Sequence, residues 1–368
     1  MRILLLTELY PGSDDADITG GVEARCWYVA RRLGQRHEVQ VVARSSDPAH
    51  WRPPSLLSVP LRVAGLARML GRGLRARFDV VEGTNLVTCP LAWVLGRLKR
   101  RTVVYWYPDV LIGSWRTGPF GAAGFLGEWF ERLVLRLRAD GYLAISEATR
   151  AKLVAAGVDP SRIRVVHCGF DPDAVSEAAA TAGDAPAGTR QVTVVSRLVG
   201  YKRVDLAVQA IATLCPDHPD LRLVVVGQGP EQEPLRALAA QLGIADRVVL
   251  RGFVPSHVDV LREMARSVVF VSASEIEGFG IVVVEAMALG VPFVISDIDA
   301  FREVTHDGTG GLLFHRGSLE DLVAKLRHML DDDDLRAKSV DAGRALAGRY
   351  TWDRIADETE EAYRAFTG

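Results

Sequence analysis

Two carboxylates and two cations carry the chemistry available to this sequence. Glu277 and Glu285 lie in the stretch Ser274-Glu-Ile-Glu-Gly-Phe-Gly-Ile-Val-Val-Val-Glu-Ala-Met-Ala-Leu-Gly290. An apolar run before it, Val268–Val271, reads as a buried parallel strand, and an apolar helix begins near Ile281. A glycine-containing turn between a strand and a helix aims backbone N–H groups at one spot, where the helix dipole favours an anion. A carboxylate beside a bound phosphate would be repelled, so Glu277 and Glu285 suit neutral hydroxyls better. A diphosphate with a sugar on one side and a ribose on the other meets both demands. The bland alternative, a surface position for Glu285, sits badly with its apolar flanks. The cations follow the strand Gln191–Ser196, in Arg197-Leu-Val-Gly-Tyr-Lys202-Arg203. Such a pair, in a loop at a strand's carboxyl end, can hold a diphosphate and stabilise it as a leaving group. A solvated basic loop is the other reading.

The elements that must position these groups alternate along the chain. Strand-like runs at Arg2–Thr7, Val39–Ala43, Asp79–Glu82 and Thr102–Trp106 are separated by helical stretches at Val22–Leu33, Leu61–Arg77 and Pro90–Leu98. The same pattern resumes with Gln191–Ser196, Leu223–Gly227, Arg247–Val254 and Val291–Ser296. Alternation of this kind predicts parallel, doubly wound α/β sheets with ligands at the carboxyl ends of the strands. Gly20-Gly21 ahead of a helix offers donors to a phosphate, and equally forms a tight turn. Gly227-x-Gly229 lacks the third glycine of a dinucleotide fingerprint, so NAD is not expected.

A chain of 368 residues is too long for one ordinary core and suits two domains. Its 48% hydrophobic and 24% charged residues exclude a disordered or fibrous class. Cys26, Cys89, Cys168 and Cys215 show no paired spacing, so neither a disulfide framework nor a zinc site is indicated. The apolar start is too short for a signal peptide, and no run reaches the length of a membrane span. A cytoplasmic location is expected. The net charge of −2 hides an asymmetry: residues 1–180 carry 24 basic against 18 acidic side chains, the remainder 20 against 28. The two halves therefore meet with opposite charge, or the first meets an anionic partner. Phe120, Phe125, Trp129 and Phe130 crowd one segment, where Phe125, Trp129 and Leu133 share a helical face. That face fits core packing, or an acceptor or membrane surface helped by the basic stretch Arg62–Arg77.

The spacing Glu277-x7-Glu285, inside Ser-x-x-Glu-Gly-Phe-Gly-x4-Glu-Ala-Met-Ala-x-Gly-x-Pro, resembles the signature of the family 4 retaining glycosyltransferases. Arg197-x4-Lys202 resembles that family's cation pair. The resemblance implies a GT-B fold: two Rossmann-like domains facing a cleft, with the donor on the second. Residues 1–173 would form the acceptor-binding domain, 174–190 a linker rich in Ala, Gly, Thr and Pro, and 191–350 the sugar-nucleotide domain. Residues 351–368 would form a helix crossing back to the first domain.

The resemblance further implies donor contacts from Gly20 and Gly21, from the backbone at Phe253 and Val254 against the base, and from Gly278, Phe279, Gly280, Ile281 and Val282. Glu285 would hold the ribose and Glu277 the sugar. Many relatives carry a histidine near Tyr105–Asp109, and none stands here. Asp109 and Tyr107 are the polar groups left, Asp109 as acceptor ligand or base, or simply as a turn cap. The reaction implied is transfer of a hexose-type sugar from a nucleoside diphosphate, UDP first, to a hydroxyl of a lipid-linked sugar, polysaccharide or secondary metabolite. With no obvious nucleophile, front-face attack is expected. No metal or other cofactor is expected, and Asp297-Ile-Asp299 is not read as a metal site. No nucleic-acid partner is expected, and the oligomeric state is open. A sugar-nucleotide epimerase, a phosphorylase of the same fold, or a non-catalytic sugar-nucleotide-binding subunit are the alternatives.

Overall fold

Apolar runs buried on both faces become the strands of two parallel sheets. The computed structural model describes residues 1–10, 20–45, 59–113, 115, 124–183 and 185–368. In order along the chain, the first elements are β1 (Arg2–Leu9), α1 (Gly21–Gly34), β2 (Glu38–Ser45), α2 (Val59–Arg75), β3 (Val80–Gly83), α3 (Cys89–Lys99) and β4 (Thr102–Tyr107). Next come α4 (Gly124–Arg136), β5 (Gly141–Ala144), α5 (Glu147–Ala155), β6 (Ile163–Val165), α6 (Pro172–Thr181) and β7 (Arg190–Val195). After these are α7 (Val204–Leu214), β8 (Leu221–Val226), α8 (Gln232–Gln241), β9 (Val248–Gly252), α9 (His257–Ala265) and β10 (Val269–Ser272). The last are α10 (Ile281–Leu289), β11 (Phe293–Ser296), α11 (Asp299–Thr305), β12 (Gly311–Phe314), α12 (Leu319–Asp331), α13 (Asp333–Ala347) and α14 (Trp352–Thr367). Among the described residues no helix is long and apolar enough to cross a membrane.

The chain divides into two units, Met1–Cys168 with Trp352–Gly368, and Gly169–Thr351. In the first unit the strand order is β2-β1-β3-β4-β5-β6, all parallel. Ile3 to Leu6 of β1 are wholly buried in that sheet. The terminal helix α14 belongs to this unit and packs on α1, where Trp352 stacks on Tyr28 with ring centres 5.1 Å apart. An ion pair inside this unit joins Arg25 of α1 to Glu82 of β3, both wholly buried, and the Tyr363 hydroxyl donates to Glu82 Oε2 at 2.6 Å.

In the second unit the order is β12-β11-β10-β7-β8-β9. The sheet grows from β7 in one direction through β8 and β9, then restarts on the other side with β10. Ligands of open α/β sheets gather at the carboxyl ends of the two strands flanking such a reversal, here β7 and β10. α10 is apolar on every side and correspondingly buried, so its first turn is fixed by packing.

Two sequence expectations change. Residues 174–190 are not simply a linker, because α6 fills the first part. Asp171 caps it by accepting from the Asp173 N–H, Pro172 opens it, and alanine, the best helix former, fills it. Val175 and Ala178 are buried, and Arg262 of α9 pairs with Glu177 at 3.1 Å. The run Asp331–Asp334 is a junction between two helices: Asp332 caps α13 by accepting from the Leu335 N–H at 2.8 Å. The core reading of the Phe125–Trp129–Leu133 face also fails. Phe125, Leu126 and Trp129 are 51%, 57% and 63% exposed, and α4 instead turns Glu131, Val134 and Leu135 inward. Glu131 is tolerated there because it accepts from Trp115 Nε1 at 2.7 Å and from the Leu111 N–H. Burial raises its pKa above the usual carboxylate range. Phe120, Arg62 and most of the Tyr10–Thr19 loop lie outside the residues or side chains described.

Candidate functional site

The loops leaving β7 and β10 are bound to each other at the sheet's reversal point. The Glu275 N–H donates to the Tyr201 carbonyl at 2.8 Å. Lys202 Nζ donates to Glu277 Oε1, with both side chains mostly buried. Arg203 Nη1 donates to Glu275 Oε1 at 2.7 Å while Nε and Nη2 hold Asp205 at the start of α7. Arg203 adopts a left-handed φ of 47°, unusual for a branched-free cationic side chain and here fixed by these three contacts. Arg197 is exposed, and its Nη2 donates to the Tyr201 hydroxyl at 2.7 Å. Four of the residues singled out in the sequence, Arg197, Lys202, Glu277 and Gly278, thus belong to one pair of interlocked loops.

The exit of β8 supports the β7 loop from beneath. Ser196 and Leu198 donate to the carbonyls of Val226 and Gln228, each at 3.0 Å, and Glu231 donates back to Leu198. A Cβ on Gly227 would stand 1.8 Å from the Ser196 carbonyl, and one on Gly229 would stand 2.1 Å from that of Leu198. Gly227-x-Gly229 is therefore a packing device that lets two loops approach.

Gly280 enters α10 with φ 98°, and no side chain caps the helix. Its first-turn N–H groups, on Ile281 and Val282, follow the buried Phe279, whose ring meets Tyr350 edge-on at 5.6 Å. An anion placed before this helix meets the dipole's positive end, with Lys202 and Arg197 on the neighbouring loop. Such an anion would share Lys202 with Glu277, leaving that carboxylate free to accept from a hydroxyl.

Glu285 lies further along α10, only 4% exposed, and takes His257 Nε2 at 3.0 Å. His257 opens α9 behind the Ser256 cap, three residues after the base-contact pair expected at Phe253 and Val254; Phe253 is 41% exposed. Sequence reasoning overlooked His257, Tyr201, Arg203 and Glu275. The only signal for His257 was its place just past an expected ligand loop, in Ser-x-x-Asp spacing typical of a helix start.

The first unit carries the remaining candidates. Gly20 is the exposed residue before α1, in extended conformation, and a Cβ there would meet nothing within 4 Å. Gly21 is the first residue of α1. Asp109, just past β4, accepts from Lys152 Nζ at 2.7 Å and from the Val110 N–H. Tyr107, by contrast, is unsuited as a ligand group. It points into the core, where burial raises its hydroxyl's pKa far above the usual phenol value. Asp297 is engaged by Arg302, and Asp299 begins α11. Among the described residues no group of three or more His, Cys, Asp and Glu could hold a metal ion.

Residues 177–346 match the family model described as Glycosyl transferases group 1, and residues 19–174 that described as Glycosyltransferase Family 4. A D-inositol 3-phosphate glycosyltransferase of Geodermatophilus obscurus is 36% identical over 226 residues, which cover 57% of this chain and 48% of that relative. The match thus spans about half the length of this relative. A phosphatidyl-myo-inositol mannosyltransferase of Mycolicibacterium smegmatis is 30% identical over 371 residues, covering 96% of this chain and 92% of that one. The crystal structure of Anabaena HepE in complex with UDP-glucose superposes with a TM-score of 0.77 at 20% identity, covering 99% of this chain and all of that one. The chain belongs to the family 4, group 1 glycosyltransferases, and has their GT-B fold of two Rossmann-like domains.

Proposed function

We propose that this protein is a retaining glycosyltransferase that moves a hexose-type sugar from a nucleoside diphosphate to a hydroxyl acceptor. The observation that carries the reading is the interlocking of the β7 and β10 loops, which sets Arg197, Lys202 and Glu277 beside the uncapped start of α10. In this reading Arg197, Lys202 and the helix N-terminus stabilise the departing diphosphate, without a metal. Glu277 receives the sugar's hydroxyls and Glu285 the ribose hydroxyls. The backbone at Gly278–Val282 donates to sugar and phosphate, and Phe253 and Val254 flank the base. No carboxylate is assigned as nucleophile, so the acceptor attacks on the face the diphosphate leaves, and the leaving phosphate takes its proton.

A UDP-sugar is the favoured donor, in keeping with the UDP-glucose held by the Anabaena protein. The relatives' names point to polyol and lipid-headgroup acceptors, with Asp109, held by Lys152, as the acceptor's ligand. The exposed face of Phe125, Leu126 and Trp129 on α4, and exposed Arg68, Arg72 and Arg75 on α2, suit contact with an anionic lipid surface. Four free cysteines fit the reducing cytoplasm. The test is binding and turnover with UDP-, GDP- and ADP-glucose and -mannose, comparing the protein with Lys202→Ala. One nucleotide class should bind, with affinity reduced about 100-fold in the variant through loss of a charged phosphate contact. A folded protein that binds none of them refutes the reading, and donor epimerised without acceptor replaces it with an epimerase.

A further inference from the structure

We propose that His257 is a positioning residue for the donor's ribose: its Nε2 fixes the Glu285 carboxylate and, when protonated, cancels that carboxylate's charge. This rests on the assignment of Glu285 to the ribose. Donor affinity then depends on the charge of a histidine that no sequence signature of the site includes.

Glu285 is buried in an apolar helix, and a lone carboxylate there would be costly to keep ionised. The group the structure places on it is His257, at 3.0 Å. The imidazole remains about one-third exposed, so it exchanges protons with solvent while its partner does not face water. A neutral carboxylate–imidazolium pair beside a diphosphate repels it less than a bare carboxylate, and one oxygen fixed by Nε2 leaves the other oriented for a hydroxyl. The charged neighbours act in the same sense. From α10 there is Glu285, and from the start of α6 there is Asp171; on α9 itself Asp259 is taken up by Arg262. Burial lowers the imidazole's pKa, but Glu285's charge and hydrogen bond, with Asp171, more than offset it and raise it above the ordinary 6.5.

The sign follows from linkage. A donor that prefers the protonated pair binds best below the histidine's pKa and loses affinity as pH rises through it, above 6.5. Each unit by which bound donor raises that pKa equals a tenfold preference for the protonated form. UDP-, GDP- and ADP-glucose are suitable probes, because a doubly esterified diphosphate does not itself titrate in this range.

The experiment is calorimetric titration of the best-binding probe at pH 6 to 9, for the wild type, His257→Gln, His257→Arg and Glu285→Gln, each checked for folding by its melting curve. Wild-type affinity should fall about tenfold over the range. His257→Gln, which keeps an N–H donor without the charge, should bind at the wild type's high-pH level with no slope. His257→Arg, always charged, should lose the slope as well. A wild-type slope retained in both variants overturns the proposal while the function stands. Unchanged affinity in Glu285→Gln overturns it through the ribose assignment. No probe bound by the wild type removes the functional reading beneath both.

Discussion

Replacing Glu82 by Gln removes one charge from a site that water does not reach. Arg25, Glu82 and Tyr363 are all wholly buried, and they join α1, β3 and α14. The Arg25 guanidinium also lies over the Trp106 ring, 5.0 Å from its centre. Burial alone would lower the Arg25 pKa, but the charge and hydrogen bond of Glu82 together with Tyr363 outweigh it and keep the guanidinium protonated. With Gln at position 82 that cation has no counter-ion, which costs about 3–5 kcal/mol. For a unit of this size the expected fall in melting temperature is about 6–20 °C. Tyr363→Phe keeps the ion pair and removes one hydrogen bond to a charged acceptor, about 1.5–3 kcal/mol. Arg25→Met and Glu82→Leu, combined with Tyr363→Phe so that no hydroxyl stays buried without its acceptor, remove both charges and should be near neutral. The assay separates the units: all 7 tryptophans lie outside Gly169–Thr351, so their emission reports the first unit alone. A Glu82→Gln melt within about 3 °C of wild type, or no worse than Tyr363→Phe, would refute an uncompensated buried charge.

Two further substitutions probe other links. Gly227→Ala strains a residue at φ 136° and drives its Cβ into the Ser196 carbonyl, so it should destabilise by about 1–3 kcal/mol and weaken donor binding by displacing the β7 loop; Gly188→Ala, at φ 72° with open space around it, should leave binding unchanged. Asp79 is held to a pKa of about 2 by hydrogen bonds from the Arg2 side chain and backbone. That folded value is below the ordinary carboxylate value of about 4, so the contact stabilises at neutral pH and is lost as pH falls from about 4 toward 2. Because both side chains are about one-third exposed, Asp79→Asn should cost only about 1 kcal/mol at pH 6, measured by urea unfolding followed by tryptophan emission. The difference should shrink to about a third by pH 2.5 and vanish only below pH 2, and a constant difference would count against the pair.

The fold was legible because parallel strands buried on both faces are continuous apolar runs, and Val268–Val271 or Gln191–Ser196 leave little else to be. The loops after them were legible for a related reason: glycines and paired cations at a strand's carboxyl end are the groups that an anion needs. Composition misleads at 174–190, where Asp171-Pro172 spells a helix start while the Ala, Gly, Thr and Pro content matches that of a linker. Periodicity misled on α4, since it finds the apolar stripe of Phe125, Trp129 and Leu133 but cannot say that the sheet lies on the other side. Partnership was the real loss. Lys202 and Glu277 were each recognised, yet nothing in their 75-residue separation says that they touch. They touch because β10 adds to the sheet beside β7, and strand order is a property of crossovers, not of any local pattern. The same applies to His257 and Glu285, whose helices follow β9 and β10, strands on opposite sides of β7. A residue whose role is to hold another is therefore harder to read from sequence than one that holds the ligand. The ligand's chemistry restricts the types it can meet, whereas a neighbour such as Glu285 can be held by His, Lys, Arg or a backbone amide alike.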